Sequence, residues 1–368
     1  MKFSISLIVL FFTIGYASAQ NYHITGKLTG FKGNLQVQML DGNDNAINST
    51  RLKRGNFLLT GELKDGPQYV NIIITEGNQD YNCTVFAGGG NVVVKGTKSH
   101  FPYNLNITGP MEQLRYNAYQ KLLKKYNLQR DELMKSLSAV NKLGDTAASN
   151  KIVRQYNAIH LSTDPITLKN IFKNTDTYYA AQEMPNYQHT LSTDSVKQFY
   201  AALSPAVKQS IYGKRIKFGL QPPVKINDPI FDFTAMDQYG KSQKLSDFKG
   251  KYVLLDFSSI YCGPCNESIE ELRLISQKYK DQVQVITFST DPQKDWLKGI
   301  KKDNITWISL NEGKGYYSES VLRYGDNGVP NFVLISPAGI VIDKWASYGK
   351  VQSGMGELEQ KIVAKIGK

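Results

Sequence analysis

Cysteine, histidine and tryptophan are all scarce in this chain, whose 368 residues include three cysteines, four histidines and three tryptophans. Cys83, Cys262 and Cys265 are too few to staple a small secreted scaffold, so packing must hold the core. The histidines, His23, His100, His160 and His189, all precede the Cys262/Cys265 pair by a wide margin. A local Cys–Cys–His metal site is therefore not expected, and neither a metal nor a cofactor is assigned. The chain also lacks a basic run. Its net charge is +12, yet its lysines are scattered, adjacent only in pairs such as Lys124-Lys125 and Lys301-Lys302. That pattern excludes the nucleic-acid class and leaves solubility and attraction to anionic surfaces or partners. After the first two dozen residues no stretch approaches the roughly 20 apolar residues that span a bilayer.

The beginning of the chain reads as a targeting segment. Lys2 supplies a positive start, Ile5 to Ile14 are apolar apart from Ser6 and Thr13, and Ala17-Ser18-Ala19 offers a cleavage site. Residues 1–19 are thus expected to be a signal peptide, with Gln20 opening a soluble, exported and periplasmic protein. An uncleaved signal anchor is the competing reading. Export implies a compartment where disulfides are permitted.

Length favours two or three domains, and 41% hydrophobic with 21% charged residues is the composition of a folded globular protein. Residues 20–109 carry short runs with near-alternating polarity, such as Asn34 to Leu40 and Gln68 to Thr75, separated by Gly/Asn/Asp turns. They predict an antiparallel β-sandwich. Cys83 falls in one such run and reads as a small buried hydrophobe, with a resolving or regulatory thiol as the minority reading. After Gly109-Pro110 the spacing turns helical. Leu114, Ala118, Leu122, Tyr126, Leu133, Leu137 and Val140 predict one apolar face on a helix from Met111 to about Leu143. Further helices are expected at 147–160, 165–181 and 195–217, with Ser162-Thr163-Asp164-Pro165 and Ser204-Pro205 as start signals. Residues 110–221 thus read as a helical connector or small bundle whose tyrosines complete helix packing.

Beyond Gln221-Pro222-Pro223, strands and helices alternate and a hairpin and helix close the chain, which predicts an α/β sheet with helices on both faces over 222–368. Its centre is the apolar strand Val253-Leu254-Leu255-Asp256-Phe257, which runs into Ser258-Ser259-Ile260-Tyr261-Cys262-Gly263-Pro264-Cys265. Two thiols two residues apart can close and reopen a disulfide ring. So short a loop stabilises little by closure, so the pair reads as chemistry rather than as a staple. Cys262 would stand at a helix N-cap, where unpaired N–H groups favour a thiolate. Lowering a thiol pKa from about 8.5 to about 7 gains about sixteen-fold in thiolate but loses about five-fold in nucleophilicity. Leaving ability and redox balance therefore matter more than attack.

Asp256-Phe257-x-x-x-Tyr261-Cys262-Gly263-Pro264-Cys265 resembles the active-site strand and turn of thioredoxin, and Val329-Pro330 is similar to that family's cis-proline loop. The flanks Ile230-Phe231-Asp232-Phe233, Gly240-Lys241 and Leu245 to Lys251 resemble more narrowly the exported TlpA/ResA-like branch. The likeness covers residues 223–368. More loosely, the layout is similar to two-part exported proteins of Bacteroidetes with an N-terminal β-domain. The resemblance implies a thioredoxin-like fold, Cys262 as attacking and Cys265 as resolving thiol, and Asp256 as the buried carboxylate serving Cys265. It also implies a cis Pro330 that keeps an edge open for an extended client, with Tyr261, Gly263, Pro264 and Val329 at the client surface. Tyr261 stands where tryptophan is usual. Ser268 and Glu270 occupy positions where many relatives carry glutamate and proline, and Asn331 stands where threonine is common.

The resemblance thus implies an exported thiol-disulfide oxidoreductase acting on cysteine-containing proteins. Gly263-Pro264 is like the dipeptide of thioredoxin, at about −270 mV against about −120 mV for the oxidant DsbA, which favours reductase or isomerase activity. An exported reductase would need a membrane electron donor. Three other readings stay open: a thiol peroxidase, with Ser259 but not Leu255 suiting the required pattern; copper binding by the two thiols; and a partner-binding protein on a thioredoxin scaffold.

Overall fold

The computed structural model describes residues 20–188, 190–325, 328–346, 348 and 356–366. The expected signal peptide at 1–19 and His189 lie outside the described residues.

Short alternating segments build the N-terminal region from β1 (Gln20–Thr29), β2 (Leu35–Leu40), β3 (Ala46–Leu52), β4 (Asn56–Leu63), β5 (Gln68–Glu76), β6 (Gln79–Ala87), β7 (Gly90–Thr97) and β8 (Asn106–Thr108). They form two four-stranded sheets, ordered β4-β1-β7-β8 and β3-β2-β5-β6. Alternation supplies the core between them: Ile24 and Leu28, Val37 and Met39, Ile72 and Ile74, and Val92 and Val94 are all buried in one cluster. Gly77, at φ +62°, opens the two-residue turn between β5 and β6. Within the first sheet, β1 and β7 pair in parallel, so the sandwich is mixed rather than wholly antiparallel as expected. Alternation fixes which face of a strand is buried and says nothing about its direction. The polar β3, with only Leu52 fully buried, escaped the sequence pattern for lack of apolar periodicity.

Among the described residues six α-helices follow: α1 (Met111–Lys142), α2 (Thr146–Lys173), α3 (Tyr178–Glu183), α4 (Thr193–Ala202), α5 (Pro205–Gln209) and α6 (Ile211–Gly219). The expected apolar face of α1 is not the one that packs. Leu114 and Leu122 are exposed, while Gln113, Tyr119, Leu123 and Asn127 are buried. Hydrogen bonding outweighs hydrophobicity at the head of this helix. Gln113 Oε1 accepts the Phe86 N–H at 2.6 Å, and Glu112 Oε1 accepts from the Tyr69 hydroxyl at 2.6 Å and the Tyr179 N–H at 3.0 Å. These bonds fix the rotation of α1 against β5 and β6.

The start expected at Ser162 to Pro165 is likewise absent, because α2 runs through Pro165. Proline removes one ladder bond. Burial of Thr163, Thr167 and Ile171, with Thr167 touching the Tyr119 hydroxyl at 3.3 Å, holds the helix on α1 nonetheless. Ser204 does cap α5 as expected, accepting the Val207 N–H at 3.3 Å. Tyr119, Tyr179 and Tyr187 are buried in the helical core, and the first two are stacked.

The C-terminal region contains β9 (Thr234–Asp237), β10 (Ser242–Lys244), β11 (Tyr252–Ser258), α7 (Gly263–Lys278), β12 (Val283–Ser289), α8 (Gln293–Lys302), β13 (Ile308–Asn311), α9 (Glu319–Tyr324), β14 (Asn331–Ile335), β15 (Val341–Ala346) and α10 (Glu357–Ile366). Its seven-stranded sheet runs β10-β9-β13-β12-β11-β14-β15, with β11, β12 and β13 parallel and the remaining pairs antiparallel. Residues 253–258 of β11 are all buried, as a strand covered on both faces must be. Val253, Leu255 and Phe257 join one apolar cluster, and Leu254 joins the other with Leu272 and Ile275 of α7 and Leu358 and Ile362 of α10. This is the thioredoxin-like α/β architecture, with β13 added to the expected strands.

Candidate active site

The pleat of β11 puts Asp256 on the same face as Leu254, the face that α7 covers. Asp256 is 1% exposed. Its Oδ2 accepts from Thr287 Oγ1 at 3.1 Å, and Thr287 accepts in turn from Trp307 Nε1 at 3.0 Å. Oδ1 has no hydrogen-bond partner among the described residues. Burial, only partly offset by the Thr287 bond, pushes the carboxyl up to about 7.

β11 then gives way to a loop and the N-terminus of α7. Cys262 is the N-cap, and its Sγ accepts the Cys265 N–H at 3.1 Å. Pro264 sits in the first turn, where its missing N–H costs nothing. The two cysteines are joined as a disulfide with Cα atoms 5.2 Å apart. Cys265 is 1% exposed whereas Cys262 is half-buried, and Gly263 and Pro264 beside it are exposed. A nucleophile from outside can therefore reach Cys262 and not Cys265.

The Val329-Pro330 bond is cis, and the Val329 carbonyl oxygen lies 3.5 Å from Cys262 Sγ. Asn331, next in chain, is buried and donates from Nδ2 to the Tyr324 carbonyl at 3.2 Å. Ser268 is buried and spends its hydroxyl on the Cys265 carbonyl at 2.8 Å, whereas Glu270 points outward toward Arg273. The structure thus brings Asp256, Cys262, Cys265, Val329 and Pro330 into one region, with Tyr261, Gly263 and Pro264 at its surface. Cys83 lies elsewhere, buried between the sheets of the N-terminal sandwich, and desolvation pushes its thiol up to about 12.

Two residues that the sequence reading did not single out hold the loop before Cys262. Asp291 is 5% exposed and accepts from Ser259 Oγ at 2.5 Å, the Ile260 N–H at 2.9 Å and Ser289 Oγ at 3.0 Å. Asp295 accepts the Tyr261 hydroxyl at 2.8 Å, while Tyr261 as a residue is 72% exposed. Ser289-Thr290-Asp291-Pro292 before α8 carried a helix-start signal of the kind read elsewhere in the chain. It marks where α8 begins but not what the Asp291 carboxylate holds.

Residues 226–344 match the model of the AhpC/TSA family, and residues 22–116 match a domain of unknown function, DUF4369. The thiol-disulfide oxidoreductase ResA of Bacillus cereus is 29% identical over 143 residues, covering 39% of this chain and 80% of its own. A second ResA, from Bacillus thuringiensis, is 29% identical over 128 residues and is covered over 73% of its length. The thioredoxin domain of a thiol-disulfide oxidoreductase from Bacteroides vulgatus is 29% identical, covering 34% of this chain and 90% of its own at a TM-score of 0.32. A thiol:disulfide interchange protein from a Bacteroides species is 26% identical, with coverage of 39% and 92% and a TM-score of 0.35. The C-terminal part of this chain is thus thioredoxin-like and similar to the AhpC/TSA family and to ResA, and it follows a segment that matches DUF4369.

Proposed function

We propose that the protein is a thiol-disulfide oxidoreductase of the ResA/TlpA type, exported and facing cysteine-containing protein clients. The observation that carries this reading is the Cys262–Cys265 disulfide at the head of α7, with one sulfur reachable and the other buried. In the reduced protein the Cys262 thiolate, favoured by the N–H groups of the helix start, attacks one sulfur of a client disulfide. A mixed disulfide forms and the client's other sulfur leaves as a thiolate. Cys265 gives its proton to the Asp256 carboxylate and attacks Cys262 Sγ. The client's second thiolate departs, the Cys262–Cys265 disulfide closes, and two electrons have passed to the client. A carboxyl held up to about 7 is matched to taking and returning a proton near neutrality.

Tyr261, Gly263 and Pro264 form the surface a client meets, and Val329 offers its backbone to an extended client segment. In vivo a membrane electron donor would re-reduce the pair. The division into residues 20–109, 110–221 and 222–368 belongs to the same proposal, as does removal of residues 1–19 on export.

The test is insulin-disulfide reduction by dithiothreitol with wild type, Cys262→Ser and Cys265→Ser. Wild type is expected to accelerate it, Cys262→Ser to be no faster than buffer, and Cys265→Ser to accumulate a mixed disulfide with insulin. Equal rates for wild type and Cys262→Ser would remove the proposal. Peroxide consumption independent of Cys265 would replace it with a peroxidase.

A further inference from the structure

A loop of the DUF4369 domain bonds to the C-terminal domain beside the exchange site. Between β2 and β3, Asp41-Gly42-Asn43-Asp44-Asn45 is braced by its own first residue. Asp41 Oδ1 accepts the Asn43 and Asn45 N–H groups at 2.8 and 2.9 Å, and Oδ2 accepts from Asn45 Nδ2 at 3.0 Å. The loop then bonds across the chain. Asn43 Nδ2 donates to the Lys314 carbonyl at 2.9 Å, and Asn45 Nδ2 approaches the Gly313 carbonyl at 3.5 Å. Asn45 Oδ1 accepts the Gln293 N–H at 3.3 Å.

That last bond has a particular meaning. Gln293 is the first residue of α8, and the residue before it, Pro292, offers no side-chain cap. A helix start leaves its first N–H groups without intrahelical partners. Asn45 supplies one from another domain. Within the first turn of the same helix, Asp295 holds the Tyr261 hydroxyl, and Tyr261 is the residue before Cys262. A continuous path of hydrogen bonds and one helix turn therefore runs from the DUF4369 loop to the exposed aromatic beside the reactive sulfur. The contact is also anchored behind the loop. Tyr317 packs on Tyr212 of α6, Arg215 lies over the Tyr317 ring at 5.2 Å, and the Tyr212 hydroxyl accepts the Tyr69 N–H of β5 at 2.8 Å.

We propose that Asn45 is a positioning residue for disulfide exchange: by capping α8 from the DUF4369 domain, it fixes Asp295 and hence the Tyr261 ring against which a protein client docks. This rests on the oxidoreductase reading above and gives the N-terminal domain a share in client binding. The sulfur chemistry itself is left to the C-terminal domain. A small aromatic disulfide, which needs only access to Cys262, should be indifferent to the loop.

The experiment uses the full chain with insulin as protein disulfide and 5,5′-dithiobis(2-nitrobenzoate) as small disulfide. Asn45→Ala is expected to raise KM for insulin about threefold to tenfold, the equivalent of one hydrogen bond, with kcat and the small-disulfide rate unchanged. Tyr261→Phe, which removes only the bond to Asp295, should raise KM for insulin to a similar extent. If both act along one path, the double variant should be no worse than the more impaired of the two single variants. An unchanged KM in Asn45→Ala, single effects that multiply, or a joint fall of kcat and the small-disulfide rate would each overturn the proposal. In all three cases wild type would still outpace Cys262→Ser. If it does not, the underlying oxidoreductase reading has failed instead.

Discussion

Replacing Asp256 with asparagine tests the physical state of the site most directly. The carboxyl is buried with one hydrogen bond, so ionising it inside the fold is costly, and its folded pKa of about 7 lies above the unfolded value of about 4. A carboxyl displaced upward stabilises nothing when ionised. Its penalty is absent below the unfolded pKa, grows between pH 4 and pH 7 while only the unfolded chain ionises, and is constant above pH 7. Three pH units at ~1.4 kcal/mol each set the full penalty at about 4 kcal/mol, an upper bound because a relaxing fold admits water. Asparagine has the same shape and no charge, so it removes the penalty.

Urea unfolding of the oxidised proteins at pH 5 and pH 9 reads the difference. Asp256→Asn should be the more stable at both values, and its advantage should widen by about 3 kcal/mol from the lower to the higher pH. Glu183, which burial also pushes up to about 7, is common to both proteins and cancels. An advantage that does not change with pH would refute the argument, because it would mean that Asp256 is not a neutral carboxyl below pH 7. The same variant should slow release of the mixed disulfide, since Cys265 then lacks its proton acceptor.

Other consequences can be checked with single variants or reagents. After reduction, iodoacetamide at pH 8 should label Cys262 in the native protein and leave Cys83 unmodified until urea is added. Peptide mass mapping reads both, and labelling of native Cys83 would contradict its burial and raised pKa. Tyr212→Phe should cost about 1–3 kcal/mol in urea unfolding, because it strands the buried Tyr69 N–H without an acceptor. A loss below a few tenths would mean that the N–H finds another partner. Ser259→Ala should lower insulin reduction several-fold, because Asp291 then loses one of the bonds that set the loop before Cys262. An unchanged rate would show that the Ile260 N–H bond to Asp291 suffices alone.

What the sequence determined by itself is the part of the molecule whose information is local. The apolar run of β11, the spacing of Cys262 and Cys265 and the start of α7 at Cys262-Gly263-Pro264 were legible, since each depends on neighbours a few residues away, and the Val329-Pro330 loop was legible through its likeness to the thioredoxin family. Tertiary structure decided the rest. Which side of α1 is buried follows from Gln113 and Glu112 meeting β5, β6 and α3, not from the leucine spacing. The passage of α2 through Pro165 follows from packing on Tyr119, and the parallel pairing of β1 with β7 from sheet assembly. At the site, Asp291 and Asp295 arrive about thirty residues after the loop they hold, and Asn45 caps a helix 248 residues away. No periodicity or spacing rule encodes such contacts, because they exist only once separately folded surfaces meet.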